Sequence, residues 1–289
     1  MPKAELKKKD VRHWLSLWFP DVKIDHWQQL GDGVTSRVYG VEYRAGGRRD
    51  RTALRLTDTP LELCWRESLL LNTLHAAELP VTACHGVKRE GSTTGMLLDW
   101  LPGKPVSRPI DYVAYAEQAA ELLARIHGTP IPQRMRRFET GFSKRVAALR
   151  SQFPQYAAVA EALSRGMPPG QDKVLLHGDF WPGNLLFKRK ELVGVVDWSD
   201  AAAGCPLADV SNARFEIRWL WGEAAMHAFT VHYFANAPYH AQDLAQWDLV
   251  ALLSPILGMH RWNLTDAHER RVLQAVNKMA DEALKTVVR

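Results

Sequence analysis

The sequence lacks any long uninterrupted apolar run, although it is 289 residues long and 46% hydrophobic. No stretch approaches the roughly 20 apolar residues that cross a bilayer. Residues 1–10 are highly charged, and the apolar run over residues 14–19 is too short for a secretion signal. These absences predict a cytoplasmic protein without a membrane partner. The length allows one large domain or two modest ones.

Cysteine is scarce, because the chain has only Cys64, Cys84 and Cys205, and these lie far apart. None has the paired spacing of a zinc site. An odd number of cysteines without a secretion signal fits a reducing compartment, so we expect free thiols. Internal repeats and low-complexity tracts are also absent.

The net charge of +5 is mild but unevenly spread, with seven basic and two acidic residues between residues 129 and 165. Such a patch can bind nucleic acid or an anionic ligand, although a solvated helix face is the commoner reason for it. No zinc spacing, aromatic–basic alternation or RNA-binding signature accompanies it, so no nucleic-acid partner is expected. The basic residues are Arg134, Arg136, Arg137, Lys144, Arg145, Arg150 and Arg165, and the acidic ones are Glu139 and Glu161.

The spacing of apolar residues divides the chain at Pro102-Gly103, a pair that breaks regular structure. Before the break, it predicts helices over residues 5–19 and 60–79 and strands near residues 27–30, 37–43, 51–56, 81–88 and 95–101. After it, helices are predicted over residues 111–127 and 141–165 and from about residue 207 onward, with short strands at residues 174–176 and 192–196. We therefore predict an α+β fold with a small β-rich lobe, residues 1–100, and a larger α-rich lobe, residues 101–289.

The stretch His177-Gly-Asp-Phe-Trp-Pro-Gly-Asn184, followed by Val195-Val-Asp197-Trp198, places polar side chains in loops beside short buried strands. Because adjacent strand ends are close in space, Asp179, Asn184 and Asp197 can converge on one point. A carboxylate and an amide oxygen suit magnesium, and a second carboxylate can orient and deprotonate an attacking hydroxyl. Each residue alone is an ordinary turn former or helix cap. The spaced set predicts a phosphoryl-transfer site.

This spacing resembles the aminoglycoside phosphotransferase and choline kinase family, which are small-molecule relatives of the protein kinases. The resemblance runs from about residue 27 to the C-terminal helices and is strongest over residues 174–210. It implies a two-lobed protein-kinase-like fold with an antiparallel N-lobe, and transfer of a terminal phosphoryl group to a small-molecule hydroxyl. The implied cofactors are ATP, with GTP as an alternative, and Mg²⁺. Asp179 is then the catalytic base, and Asn184 and Asp197 are the metal ligands.

In the N-lobe, Leu30-Gly-Asp-Gly-Val-Thr-Ser-Arg-Val-Tyr39 resembles a nucleotide loop between two strands. Gly31 and Gly33 would let the backbone approach phosphates, and Thr35 and Ser36 would donate hydrogen bonds. A plain hairpin turn would have the same sequence pattern, so this motif is weak by itself.

Arg55 stands where the resembled family usually has a lysine that binds phosphates, and its guanidinium can do the same in a fork. Glu67 on the following helix is its expected partner, with Glu62 as the alternative. A surface arginine on an edge strand is the plainer interpretation. Residues 96–101, including Asp99 and Leu101, should carry the backbone groups that bind the adenine edge.

His177 usually braces the catalytic loop in related kinases and is interpreted here as structural. Cys205 replaces the acidic residue that the family usually has before the proline at position 206. Asp209 is kept, and we expect it to brace the metal-binding loop.

The acceptor stays open, since the resembled family includes kinases of aminoglycosides, macrolides, choline, thiamine, sugars and homoserine. Residues 200–289 hold ten acidic and eight basic side chains, a balance that weakens the case for a polycationic aminoglycoside. Tryptophans could line an aromatic acceptor pocket, although most large aromatic residues belong to the core. The candidates are Trp198, Trp219, Trp221, Trp247 and Trp262.

Two other classes compete with a small-molecule kinase. One is a nucleotide-binding pseudokinase that acts as a scaffold, although all the key groups are present. The other is a protein kinase, which the absence of an Ala-Pro-Glu stretch and of a long activation segment disfavours. The expected partner is a small-molecule hydroxyl acceptor, and the expected assembly is a monomer or a homodimer.

Overall fold

The structure, a computed structural model, describes residues 6–32, 36–133, 135–138, 141–168, 170 and 173–287. The chain divides into two compact units, Met1–Pro102 and Gly103–Arg289. The division falls at the Pro-Gly pair, which interrupts regular structure. Within the described residues, none of the helices is both long and apolar enough to span a membrane.

The first unit is built on five antiparallel strands: β1 (Lys23–Asp32), β2 (Ser36–Ala45), β3 (Arg48–Thr57), β4 (Cys84–Glu90) and β5 (Thr93–Asp99). Their order in the sheet is β1-β2-β3-β5-β4. The turn between β2 and β3 has only two residues, Gly46 and Gly47, with φ values of +56° and +75°. Such values favour glycine and match the twist of a tight hairpin.

Two helices belong to this unit, α1 (Lys8–Ser16) and α2 (Leu61–Ala76). Helix α1 contributes the buried side chains of Val11, Trp14 and Leu15 to a core shared with the sheet. The strands predicted over residues 27–30 and 37–43 are longer in the structure. Backbone pairing in the hairpin continues beyond the apolar residues on which the prediction depended.

The second unit is mainly helical, which confirms the predicted α+β class with its β-rich and α-rich parts. Its helices are α3 (Tyr112–His127), α4 (Phe142–Gln152), α5 (Ala157–Ser164), α6 (Pro206–Trp221), α7 (Glu223–Asn236), α8 (Leu244–Gly258) and α9 (Asp266–Val287). The single helix predicted over residues 141–165 is wrong, because α4 and α5 are separate. Pro154 begins a 3₁₀ turn between them, since proline cannot continue the hydrogen bonding of a helix.

Two small antiparallel sheets complete the second unit and position its polar loops. Strands β6 (Val174–Leu176) and β9 (Ala202–Gly204) form one, and β7 (Leu185–Lys188) and β8 (Glu191–Val195) form the other. The sequence did not predict β9, whose three small residues carry no alternating pattern. Helix α6 contacts α7, α8, α9 and β6, so it lies at the centre of the unit.

Candidate active site

The loop that begins after β6 contains the first group of site residues. Its second residue, Gly178, has a φ of +85°, and a Cβ atom at this position would lie 2.2 Å from the carbonyl oxygen of Asp200. Only glycine tolerates both the left-handed backbone and this close approach. The loop is therefore fixed against the segment that follows Asp197.

Asp209, in the first turn of α6, holds this loop through hydrogen bonds to its backbone. Its carboxylate is 2% exposed and accepts hydrogen bonds from the backbone N–H groups of His177 at 2.7 Å and Gly178 at 2.9 Å. We expected Asp209 to brace the metal-binding loop, and that expectation is wrong. The carboxylate binds the catalytic loop instead, because the first turn of α6 lies under the backbone that leaves β6.

Asp209 also belongs to a buried network that sequence reasoning missed. The ring nitrogen Nε2 of His127, at the end of α3, lies 3.3 Å from the Asp209 carboxylate, and Nδ1 lies 2.6 Å from the Tyr233 hydroxyl. The carbonyl group of His127 accepts a hydrogen bond from the Tyr239 hydroxyl at 3.3 Å. The one signal in the sequence is a polar His127 on the apolar side of a helix. The network ties α3, α6 and α7 to the catalytic loop.

His177 joins the loop that follows β6 to the segment that follows β8. Its ring is fully buried and lies 4.6 Å from the ring of Trp198. Nε2 is 3.1 Å from the carbonyl oxygen of Val196, which can only accept, so this nitrogen carries the proton. Nδ1 accepts a hydrogen bond from the Asp179 N–H at 3.3 Å. Burial lowers the pKa of His177, so the ring is neutral and acts as a structural link.

Asp179 and Asn184 are held together at the two ends of the same loop. The Asn184 amide Nδ2 donates to the backbone carbonyl of Asp179 at 2.9 Å and to its Oδ2 at 3.1 Å. Burial, and then the negative charges of Asp197 and Asp200, raise the pKa of Asp179 to about 6. A carboxylate with such a pKa is ionised at neutral pH and is a stronger base than an exposed one.

The register of the β7–β8 hairpin brings Asp197 to the same place. Leu185 pairs with Val195, so Asn184 and Val196 are adjacent at the open end, where the Val196 N–H donates to the Asn184 carbonyl at 2.9 Å. Asp197 follows with a φ of +65°, which is uncommon for a residue other than glycine. Its exposed carboxylate accepts a hydrogen bond from the Ser199 hydroxyl at 2.9 Å. Backbone pairing thus gathers Asp179, Asn184 and Asp197.

The donor set fits a hard cation. The Asn184 amide nitrogen is committed to Asp179, and its oxygen accepts no hydrogen bond from the described residues. That oxygen and the Asp197 carboxylate are the kinds of ligand that Mg²⁺ takes, usually together with phosphate oxygens and water. Within the described part of the chain, no group of three or more His, Cys, Asp or Glu side chains could hold a metal ion. A site that Mg²⁺ shares with a nucleotide requires fewer protein ligands.

In the first unit, Arg55 and Glu67 form a buried ion pair. The Arg55 Nη1 atom lies 2.5 Å from Glu67 Oε1, and both side chains are 8% exposed. The alternative partner, Glu62, pairs with Arg66 on the surface at 2.5 Å. Arg55 lies on β3 between Val38 of β2 and Met96 of β5 in the ladder, so it is held in a central strand rather than an edge strand.

The structure describes the proposed nucleotide loop only in part. Gly33 and Thr35 lie outside the described residues. Gly31 is not in a loop, because it pairs with Val38 near the end of β1, after a register shift. Ser36 begins β2 and pairs with Thr57.

The predicted adenine-binding segment follows β5. The Asp99 N–H donates to Ala83 at 3.0 Å and is therefore used within the first unit. The Asp99 carbonyl accepts from the Thr82 hydroxyl at 3.1 Å and has a second lone pair left. Leu101 follows the end of the strand.

Helix α6 carries a further polar side chain, Glu216, on the same face as Asp209. Asp209, Asn212 and Glu216 share one face of the helix, and the Asn212 amide is 3.5 Å from the Phe180 carbonyl. Burial, with a smaller contribution from Asp179, raises the pKa of Glu216 to about 8. Its carboxyl group accepts a hydrogen bond from the Trp219 indole at 2.6 Å. Glu216 is thus largely protonated at neutral pH and adds little negative charge.

The tryptophans proposed as a pocket wall are mostly core residues. Trp198, Trp219, Trp221 and Trp247 are all buried. The indole N–H of Trp221 donates to the Val106 carbonyl at 2.9 Å, which fixes it inside the unit. Trp262 is half-buried. Packing therefore explains most of these side chains, as expected for large aromatic residues.

A sequence model of the phosphotransferase enzyme family matches residues 26–250, which is most of the chain. The chain belongs to this family and is therefore a phosphotransferase, as the resemblance implied.

Solved structures of antibiotic kinases share the fold. Aminoglycoside phosphotransferase APH(4)-Ia, in a thermostable mutant bound to ADP and hygromycin B, has a TM-score of 0.67 at 19% identity, covering 95% of this chain and 98% of that one. Spectinomycin phosphotransferase APH(9)-Ia, bound to ADP and spectinomycin, has a TM-score of 0.64 at 14% identity, with coverage of 99% and 98%. At these identities the likeness extends to the fold alone, and it confirms the protein-kinase-like architecture.

A curated relative matches a shorter stretch. Acyl-CoA dehydrogenase family member 11 from Pongo abelii is 29% identical over 133 residues, which is 42% of this chain and 17% of the relative. The matched region spans about a sixth of that relative's length.

Proposed function

We propose that this phosphotransferase moves the terminal phosphoryl group of ATP to a hydroxyl group of a small molecule, with Asp179 as the base. The observation that carries the proposal is the Asp179–Asn184–Asp197 cluster. Two hydrogen bonds from Asn184 orient Asp179, and the Asn184 oxygen and the Asp197 carboxylate are left for other ligands.

In the proposed reaction, the Asp179 carboxylate accepts a hydrogen bond from the acceptor hydroxyl and aims its oxygen at the terminal phosphorus. A bond forms between this oxygen and the phosphorus. The bond from the phosphorus to the bridging oxygen breaks, ADP leaves with that electron pair, and the hydroxyl proton passes to Asp179. The raised pKa of Asp179, about 6, favours this proton transfer without keeping the base protonated at pH 7.

The first unit supplies the nucleotide-binding groups in this proposal. Arg55, oriented by Glu67, would bind phosphate oxygens, because guanidinium offers a fork of donors. The Asp99 carbonyl and the Leu101 N–H would bind the adenine edge. Ser36 and the residues before it, Gly31, Gly33 and Thr35, would lie along the phosphates.

Asn184 and Asp197 are the residues that would hold Mg²⁺. When bound, Mg²⁺ supplies positive charge that offsets the phosphates. The fit rests on the donor types and on charge, because Asp179, Asp197 and Asp200 repel one another in the protein alone. A catalytically silent scaffold has no support, since the base, the amide and the carboxylate are all present.

The test is ADP formation from ATP and Mg²⁺ in the presence of a panel of antibiotics, amino alcohols, sugars, vitamins and hydroxy acids. For the acceptor that is used, Asp179→Asn should reduce kcat by about 10²- to 10⁴-fold while ATP affinity stays within about twofold. The loss is expected because Asn cannot take the proton.

Glu191→Gln is the matched control, since it makes the same change of charge at an exposed carboxylate, at the turn end of the β7–β8 hairpin. It should keep most of the turnover. Full activity in Asp179→Asn would remove this carboxylate from the mechanism.

A further inference from the structure

A cavity of about 230 Å³ lies inside the second unit, directly beside the catalytic loop. One part of its wall is Gly178, the residue before Asp179, together with Asp200. Helix α8 contributes Trp247 and Ser254, and Arg145 projects from α4. The volume is below the roughly 300 Å³ at which pockets for drug-sized ligands begin. The cavity therefore suits a small molecule or one end of a larger molecule.

The carboxylates in this wall already have hydrogen-bond partners. Asp209 accepts hydrogen bonds from two backbone N–H groups of the catalytic loop. The Asp200 carboxylate lies 3.1 Å from the guanidinium of Arg136, which also donates to the Ala201 carbonyl at 2.9 Å. These contacts occupy carboxylate oxygens on this side of the cavity, so fewer acceptor positions remain for a cationic ligand.

Arg145 is different, because no counter-charge for it lies among the residues that the structure describes. It is partly buried and has no hydrogen-bond or ion-pair partner among the described residues. Burial, and then the nearby positive charge of Arg261, lower the pKa of its guanidinium. An arginine stays charged at neutral pH under such a shift. The described part of the chain thus places a cation without a paired carboxylate in the wall of a cavity, where a guanidinium can bind an anion.

The cavity therefore has a cationic part and an apolar part. Phe138 and Trp247 lie side by side with their ring centroids 6.4 Å apart, and both line the cavity together with Val250. The Ser254 hydroxyl and the Asn212 amide add neutral polar groups. This combination fits a short organic molecule with an anionic end better than it fits a polycation.

We propose that this cavity selects acceptors that carry an anionic group, a carboxylate or a phosphate monoester, and that Arg145 binds this group. The acceptor's hydroxyl would then be directed past Gly178 towards Asp179. The inference deepens the proposed function and rests on it for turnover, but binding of the anion does not require the kinase reaction. It also assigns a function to Arg145, one of the basic residues between residues 129 and 165.

The experiment compares charged and uncharged forms of one acceptor skeleton. Glycerate is paired with methyl glycerate, and glycerol 3-phosphate with glycerol, while choline serves as a cationic probe. Binding is measured by calorimetry and thermal shift without nucleotide, and turnover is measured as ADP formation. The wild-type protein should bind at least one anionic probe about tenfold or more tightly than its neutral partner.

Arg145→Met should abolish this preference, and Arg145→Lys should retain part of it, since the charge remains but the fork is lost. Lys144→Met is the matched control, because it removes the same charge from the next position of α4, which is exposed. It should leave the preference intact. Arg145→Met should also be at least as stable as the wild type, because a like-charge repulsion disappears. Loss of folding stability would instead assign Arg145 a structural role.

The outcomes separate this inference from the proposed function. The anionic site would be overturned if both anionic probes bound no more tightly than their neutral partners, or if Arg145→Met kept the same preference as the wild type. Either result would count against the site even if neutral or cationic acceptors were phosphorylated. Anion binding that depends on Arg145, without ADP formation from any acceptor, would support the site and contradict the kinase proposal.

Discussion

The first unit buries a cation and an anion against each other, whereas the second unit gathers carboxylates around the catalytic loop. Arg55 and Glu67 are both 8% exposed and lie 2.5 Å apart. Asp197 and Asp200 act on Asp179 in the opposite sense, because their negative charges raise its pKa. In the first region the two buried charges attract each other, whereas in the second the carboxylates of Asp197 and Asp200 both oppose ionisation of Asp179.

The difference indicates what each region does before a ligand binds. An internal ion pair holds a side chain in one orientation whether or not a nucleotide is present, so Arg55 is prepared in advance. A group of carboxylates becomes more favourable when a cation binds, so under the proposed function we expect the second region to gain stability from its ligands.

The largest effect is expected from breaking the buried pair. Arg55→Ala should lower the free energy of unfolding by about 3–5 kcal/mol, because Glu67 then stays buried without this cation. It should also weaken ATP binding or turnover by at least about tenfold, or about 1.4 kcal/mol. Arg55→Lys should keep part of the activity. Denaturant unfolding and ATP titration measure the two effects.

The exposed pair Arg66–Glu62, on helix α2 beside Glu67, is the control. Arg66→Ala should lower stability by less than about 1 kcal/mol. In the double variant Arg55→Ala/Glu67→Ala, the second substitution should add little, because the two side chains act as a unit. Parent-like ATP binding and turnover in Arg55→Ala would show that the nucleotide-binding assignment in the first unit is wrong.

The next effect concerns the metal. The thermal shift caused by ATP should grow when Mg²⁺ is added, and Asp197→Asn should lose about 10- to 100-fold of the Mg²⁺-dependent gain in affinity. Asn is a better substitution than Ala at this position, because Asp197 has a φ of +65° and Asn tolerates this backbone conformation. Asp200→Asn is the control and should keep the Mg²⁺ response. If Asp200→Asn lost it and Asp197→Asn did not, the ligand assignment would be reversed.

The smallest effect is a stability change with pH in the metal-free protein. The folded pKa of Asp179, about 6, lies above its ordinary value of 3.8. Its contribution to stability is therefore complete below about pH 4 and is lost as the pH rises through 6. With EDTA present, Asp179→Asn should raise the free energy of unfolding by about 1–3 kcal/mol at pH 7.5 and by little at pH 4. An equal effect at both pH values would exclude ionisation of Asp179 as its cause.

Both the ion pair of the first unit and the carboxylate group of the second could largely be predicted, because each depends on residues close together in the chain. Asp179 and Asn184 occupy one loop, and the β7–β8 hairpin brings Asp197 back beside them through local pairing. Arg55 lies near the end of β3 and Glu67 lies in the second turn of α2, the next element, so their pairing could be predicted from their spacing. The boundary at Pro102-Gly103 was visible for the same reason, since these two residues interrupt regular structure wherever they occur.

The sequence alone determined the two-part α+β architecture and the polar residues of its loops, since these depend on local periodicity and short-range spacing. The phosphotransferase class followed from the family resemblance that those loop residues carry. Only the tertiary structure decided that Asp209 holds the loop after β6, that His127 supports Asp209 and that Arg145 lines a cavity. His127 and Asp209 are 82 residues apart in sequence yet 3.3 Å apart in space. Such contacts arise from the packing of whole helices, which no local pattern encodes.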